Sequence, residues 1–155
     1  MRILVLLAAL LLWIPAFGVD MGGSAPAPQT QSVQARLERA RQAIGRKDWS
    51  VAQRELEAAE RDAPRNADVH NLLGYTYRKR PSPDMAKAYE EYDIALKLDP
   101  NHKGAREYVG EAYLQDGRLP EAQQQLAALQ RICGGPGCEE YDDLAKAIAD
   151  YQARH

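Results

Sequence analysis

The sequence predicts an all-α chain of three helical hairpins followed by one C-terminal helix, and three observations carry that expectation. The first is a repeat. Leu73-Gly74-x-x-Tyr77, Ala88, Tyr92, Ala95 and Pro100 return as Val109-Gly110-x-x-Tyr113, Ala122 and Leu126. Gly74 and Gly110 stand 36 residues apart, as do Tyr77 and Tyr113, whereas Ala88 and Ala122 are 34 apart. The unit is therefore about 34 residues with a two-residue insertion, the period of stacked helix pairs. A worn earlier copy holds Ala40, Ala52, Leu56, Ala59 and Pro64. The second observation is that apolar residues recur at three- and four-residue steps, the spacing of one helix face. The third is that proline and glycine fall between these stretches, where helices stop and restart.

Taken in order, Met1-Arg2 opens the chain and an apolar run follows from Ile3 to Ile14, then Pro15 and Ala16-Phe17-Gly18. A positive start, a short apolar middle and small residues at a cleavage position predict a secretory signal over residues 1–18. A membrane span needs about 20 apolar residues, so this run is short for a retained anchor, the alternative reading. Residues 19–31 are mostly Gly, Ser, Pro, Ala, Gln and Thr, too polar to bury a core, and read as a disordered leader. The expected setting is periplasmic or secreted.

Residues 32–155 suit one small domain, with hairpins at about 33–66, 67–102 and 103–136 and a capping helix at about 139–152. In the second hairpin Asn66 caps a helix carrying Val69, Leu72, Leu73 and Tyr77 on one face. Arg80-Pro81 ends it, because a residue before proline is pushed out of the α region. Ser82 is then expected as N-cap and Pro83 as the first helical residue of a helix bearing Met85, Ala88, Tyr92, Ala95 and Leu96. The third hairpin places Val109, Ala112 and Tyr113 on its first helix and turns at Asp116-Gly117. Its second helix, opened by Pro120, turns Ala122, Leu126 and Leu129 inward. Gly74 and Gly110 sit mid-helix, where each costs about 1 kcal/mol relative to alanine. Close approach of the partner helix, with the tyrosine three residues on filling the space beside it, is the expected reason for them. In the last helix Tyr141, Leu144, Ile148 and Tyr151 form one stripe, and its opening carboxylates suit the positive end of a helix dipole.

The formal net charge of the whole chain is −2 and no basic block is present, so nothing draws it to nucleic acid or, once the signal is cleaved, to a membrane. Arg78-Lys79-Arg80 suits a helix C-terminus, where cations are favoured. The two cysteines, Cys133 and Cys138, flank Gly134-Gly135-Pro136-Gly137. In an exported protein they predict a disulfide, with redox catalysis and metal binding as the alternatives. Closing so short a loop adds about 2 kcal/mol of stability in the chain-entropy picture. The spacing is not that of thioredoxin-like motifs, and His70, His102 and His155 are spread along the chain without a metal-site pattern. No phosphate loop and no nucleophile-base-acid set is present, so no catalytic residue, metal or cofactor is assigned.

These residues resemble the tetratricopeptide repeat, whose pattern is Trp-x2-Leu-Gly-x2-Tyr, then Ala-x3-Phe, then Pro. The second copy supplies Leu73, Gly74, Tyr77, Ala88, Tyr92 and Pro100, with His70 in the tryptophan slot. The third supplies Val109, Gly110, Tyr113, Ala122 and Leu126, with Arg106 for tryptophan and Gly134 for proline. The first has Arg39, Ala40 and Ala43 in the leucine, glycine and tyrosine slots, as suits a terminal repeat with one face to water. The resemblance covers about residues 33–136 and implies a right-handed solenoid with a concave groove lined by the first helix of each hairpin. The faces left after core assignment give Asn71, Tyr75 and Arg78 in the second copy and Glu107, Tyr108 and Glu111 in the third. Tyr75 and Tyr108 are candidate aromatic anchors, with Asn71 and Arg78 as directional donors to a peptide. A solvated face with partly packed tyrosines is the alternative. The clamp with which the family holds a terminal carboxylate uses several Lys, Arg and Asn residues, whereas here Glu107 and Glu111 would repel one. The expected role is a non-enzymatic adaptor that binds a protein or peptide segment. A thiol-redox factor using Cys133 and Cys138 and a self-assembling homo-oligomer are the competing roles.

Overall fold

The computed structural model describes residues 32–155, and the expected signal and leader lie outside the described residues. Seven helices follow one another within them: α1 (Val33–Gly45), α2 (Trp49–Asp62), α3 (Ala67–Lys79), α4 (Met85–Leu98), α5 (Lys103–Gln115), α6 (Leu119–Cys133) and α7 (Glu139–Arg154). No described helix is long and apolar enough to cross a membrane.

Most helix starts are written locally. Ser32, Asp48 and Asn66 cap α1, α2 and α3 by accepting from the backbone N–H three residues on. The expected start of α4 needs correction. Asp84, not Ser82, is its N-cap and accepts from the Lys87 N–H at 3.1 Å. Ser82 and Pro83 stay in the preceding turn, where the Ser82 carbonyl accepts from Arg80 Nε at 2.8 Å. An aspartate one step before the apolar stripe competes better for the cap than a serine three steps before it. α5 uses an unforeseen cap: His102 Nδ1 accepts from the Ala105 N–H at 3.1 Å while Nε2 faces the Asp68 carboxylate at 3.1 Å. The first contact fixes the tautomer, so Nε2–H donates to Asp68 and ties the starts of α3 and α5 together. α6 opens with proline in its first turn and stops at Gly134 in a left-handed conformation.

Each hairpin pairs its two helices, α1 with α2, α3 with α4 and α5 with α6. The first helices also touch in series, α1 to α3, α3 to α5 and α5 to α7, so α1, α3, α5 and α7 form one layer and α2, α4 and α6 the other. Burial follows the repeat. Leu37, Leu56, Val69, Leu73, Tyr77 and Tyr92 fill one core, and Leu114, Ala122, Leu129, Leu144 and Ile148 a second. Arg39, at the leucine slot of the first copy, is half-buried and bonds Glu55 at 3.1 Å, which makes that position a polar rim.

The glycine slots behave differently from each other. A Cβ on Gly74 would lie 2.7 Å from ring carbons of Tyr92, the partner helix of its own hairpin. A Cβ on Gly110 would instead lie 2.6 Å from a methyl of Leu144, on α7. The expectation that each glycine admits its own hairpin partner therefore holds for Gly74 and fails for Gly110. Tyr113 is only half-buried and stacks on Tyr89, ring centroids 5.4 Å apart, and Leu126 is half-buried too. Cys133 at the end of α6 and Cys138 at the cap of α7 are joined, with sulfurs 2.14 Å apart, so the turn that swings α7 back over α5 is covalently closed.

Candidate functional site

On the layer of first helices, steps of four and three residues bring Asn71, Tyr75 and Arg78 to one face of α3, and Glu107, Tyr108 and Glu111 to the adjoining face of α5. The two triplets meet. Tyr75 and Tyr108 are half-buried, with ring centroids 4.7 Å apart and planes tilted by 49°. Arg78 Nη2 donates to the Glu111 carboxylate at 2.5 Å, across the α3–α5 seam. The guanidinium also lies over Tyr75, 5.5 Å from the ring centre, within reach of a cation–π contact.

Burial separates these six residues into two roles. Tyr75, Tyr108 and Glu111 keep solvent contact, whereas Asn71 is 6 % exposed, Arg78 5 % and Glu107 8 %. Arg78 is therefore not the free donor expected from the sequence. It is a seam residue committed to Glu111, because a long cation at the junction of two helices lowers its energy most by pairing with a carboxylate there. Asn71 likewise sits against Gly104 at the start of α5, and its Oδ1 has no hydrogen-bond partner among the described residues.

Glu107 is the electrostatic centre of the face. Burial first, then repulsion from Glu111, Asp143, Glu140 and Glu139, pushes its carboxyl from 4.5 up to about 8. Burial and the neighbouring Glu107 push the Tyr108 hydroxyl up to about 12. Tyr75 is raised by burial, against the lowering effect of Arg78. Three of the carboxylates around Glu107 come from α7, which the sequence presented only as a cap. Alternation between layers makes α7 the next helix of the inner row, and its first turn turns acidic groups toward α5. Farther along, Arg78, Glu111, Leu114, Ala147 and Tyr151 border a cleft of about 290 Å³ between α3, α5 and α7. On the opposite side of Tyr75, Ile44, Lys47, Trp49 and Lys79 border another of about 560 Å³. Neither Trp49 nor the α7 residues were legible as site residues, since only the stacking order brings them to this face.

A second polar cluster lies on the opposite, α2–α4 side. His70 is buried, with Nε2 at 3.0 Å from the Pro64 carbonyl and Nδ1 at 2.7 Å from the Glu91 carboxylate. Both partners are acceptors in their usual forms, so the pair shares a proton, held on Nδ1 or on Glu91. The Glu91 carboxyl is raised by burial, against the lowering effect of that bond. Glu60, His70 and Glu91 bring ligand-type atoms within 4.8 Å of one another, but both ring nitrogens are already bonded. The arrangement ties the closing proline of the first hairpin to the second, which explains a histidine in the tryptophan slot.

A tetratricopeptide repeat family model matches residues 37–92 and again 84–135. No curated protein matches the chain in sequence. Similar solved structures include the first tetratricopeptide domain of Spaghetti (RPAP3) bound to the HSP90 peptide SRMEEVD, with TM-score 0.67, 17 % identity, and 80 % of this chain and 98 % of that one covered. The Arabidopsis OM64 tetratricopeptide domain aligns with TM-score 0.65 and 15 % identity over 79 % of this chain and 98 % of that one. The TPR2B domain of yeast Sti1, in complex with pHsp70, aligns with TM-score 0.64 and 18 % identity over 76 % and 96 %. At these identities the likeness is one of fold, and with the repeat matches spanning most of the described residues, the chain belongs to the tetratricopeptide repeat family.

Proposed function

We propose that this chain is a non-enzymatic adaptor that holds a segment of a partner protein on the face formed by α3, α5 and α7. The observation that carries the reading is the Tyr75–Tyr108 pair, two half-exposed rings 4.7 Å apart, set on a floor of buried polar side chains. Amphipathic rings with few rotatable bonds on a rigid helical layer are what a binding hot spot requires. Two of the similar folds hold partners, the RPAP3 domain an HSP90 peptide and the Sti1 domain pHsp70, which supports capture of a protein segment as the role.

The envelope is the setting we propose. Arg2, the apolar run and Ala16-Phe17-Gly18 support export, and the Cys133–Cys138 bond suits an oxidising compartment. Capture of the native partner from an envelope fraction, with the full chain and a Tyr75→Ala/Tyr108→Ala variant as baits, tests the proposal. The variant is expected to melt close to the parent and to lose capture, each ring contributing about 1 kcal/mol or more. Tyr77→Ala is the folding control, since Tyr77 is buried in the core and its truncation costs about 3–5 kcal/mol. Undiminished capture by the folded double variant would remove the site from this face.

A further inference from the structure

The proposed binding face has a charge pattern that selects among partners. Around Glu107 this face spends its cations inside the protein, Arg78 on Glu111 and Lys103 on Glu140 at 3.1 Å, while Lys47 and Lys79 lie on the far side of Tyr75. Its carboxylates outnumber them. Glu107 is nine-tenths buried and makes no hydrogen bond among the described residues, and Glu139 and Asp143 of α7 stand toward it without an ion-pair partner there. Beside this unmatched charge lies the Tyr108 ring, packed against Tyr75, and an aromatic face attracts cations; the Tyr75 ring already lies under Arg78 and Lys79. A carboxylate crowded by like charges and taken out of water gains most from an incoming positive group, and an incoming carboxylate would be repelled.

We infer that the segment held on the α3–α5–α7 face is cationic, a lysine- or arginine-bearing stretch of a partner whose charged side chain lies against Glu107 and Asp143 beside the Tyr75–Tyr108 pair. This rests on the reading of that face as the binding site. The chain's own residues 1–31 contain one basic side chain, Arg2, so they are poorly suited to be the occupant. Entry of the cation returns the Glu107 carboxyl toward its ionised form, so binding expels a proton. Affinity then strengthens as pH rises toward about 8, where free Glu107 ionises by itself, and levels off above it. The groups facing Glu107 are Tyr75 from α3, Tyr108 and Glu111 from α5, and Glu139, Glu140 and Asp143 from α7, with Arg78 reaching the same seam through its bond to Glu111. An arginine probe keeps its own charge constant over this range.

The test is selection of a displayed random-peptide library on the full chain, followed by binding of a selected peptide to variants. Enrichment of Arg and Lys is expected, with affinity falling about tenfold in Glu107→Gln/Asp143→Asn and unchanged in Asp93→Asn/Glu121→Gln, which removes two carboxyl groups elsewhere. An arginine peptide should bind the parent more tightly as pH rises, and Glu107→Gln with a flat profile. Glu107→Gln replaces a buried carboxyl by a neutral group of the same shape, so folding is retained. Enrichment of acidic or uncharged peptides whose binding is lost in Tyr75→Ala/Tyr108→Ala would overturn the inference while leaving the face as the binding site. Cationic peptides weakened equally by the distant variant would reduce the effect to general attraction and overturn it as well. Peptides insensitive to every change on the face would overturn both readings.

Discussion

The second and third hairpins use the same mid-helix glycine for different purposes. In the second, Gly74 receives the Tyr92 ring from α4, and the hairpin closes on itself. In the third, Gly110 receives Leu144 from α7, and the space is filled by a helix outside the repeat. The second hairpin thus belongs to the continuous core that starts at Leu37, whereas the third shares its core with α7 through Leu114, Leu129 and Ile148. A terminal repeat has a face with no following repeat to cover it, and here α7 supplies the cover. The same helix delivers Glu139, Glu140 and Asp143 to Glu107, so closing the solenoid and charging the α3–α5–α7 face are one structural event.

Truncation of the two filling side chains separates the two regions most strongly. Tyr92→Ala is expected to cost about 3–5 kcal/mol and to lower the melting temperature of the whole domain, because its ring is buried in the continuous core. Leu144→Ala is expected to cost about 2–5 kcal/mol and to release α7 first, seen as loss of amide-exchange protection in α7 before α1–α4. Equal loss of protection everywhere would mean the domain melts as one unit and would break the comparison.

Adding one methyl sharpens it. Gly74→Ala pushes on a ring enclosed on all sides and should cost about 1–3 kcal/mol despite the gain in helix propensity. Gly110→Ala pushes on a leucine whose helix can shift, so its melting point should fall less, and α7 exchange should quicken selectively. Removing the covalent closure with Cys133→Ser/Cys138→Ser is worth about 2 kcal/mol in the chain-entropy picture, several degrees for a domain of this size. The loss should again appear in α7, with the second hairpin protected as before.

Titration tests the charged face separately from the packing. Folding raises the Glu107 carboxyl from 4.5 to about 8, so the folded chain keeps a proton that the unfolded chain releases. Its contribution to stability is complete at low pH and is lost as pH rises through that window. Glu107→Gln should therefore melt a few degrees above the parent at pH 9 and close to it below pH 4, in thermal scans at matched ionic strength.

Of the six predicted groove residues, Tyr75, Tyr108 and Glu111 keep the solvent contact that helix spacing implies, whereas Asn71, Arg78 and Glu107 are buried. Tyr75 and Tyr108 are the half-exposed rings that helix periodicity made them. Arg78, Asn71 and Glu107 share that periodicity, and nothing in one helix reveals that a neighbouring helix closes over them. The same limit hid the α4 cap, since Ser82, Pro83 and Asp84 are all good start signals and the choice among them depends on where Tyr77 and the core place the chain. His70 was also silent, because it bonds to Pro64 and to Glu91 of α4, and so was the bond from His102 to Asp68 of α3.

The sequence by itself determined the number of helices, their order and the residues that fill the second hairpin, because periodicity, caps and turn residues act within a few positions of the chain. Tertiary structure alone decided that Leu144 rather than α6 fills the Gly110 slot, that Arg78 is spent on Glu111, and that α7 surrounds Glu107 with charge. Those outcomes depend on distances between helices far apart in sequence, where packing and desolvation set the energy and local spacing carries no information.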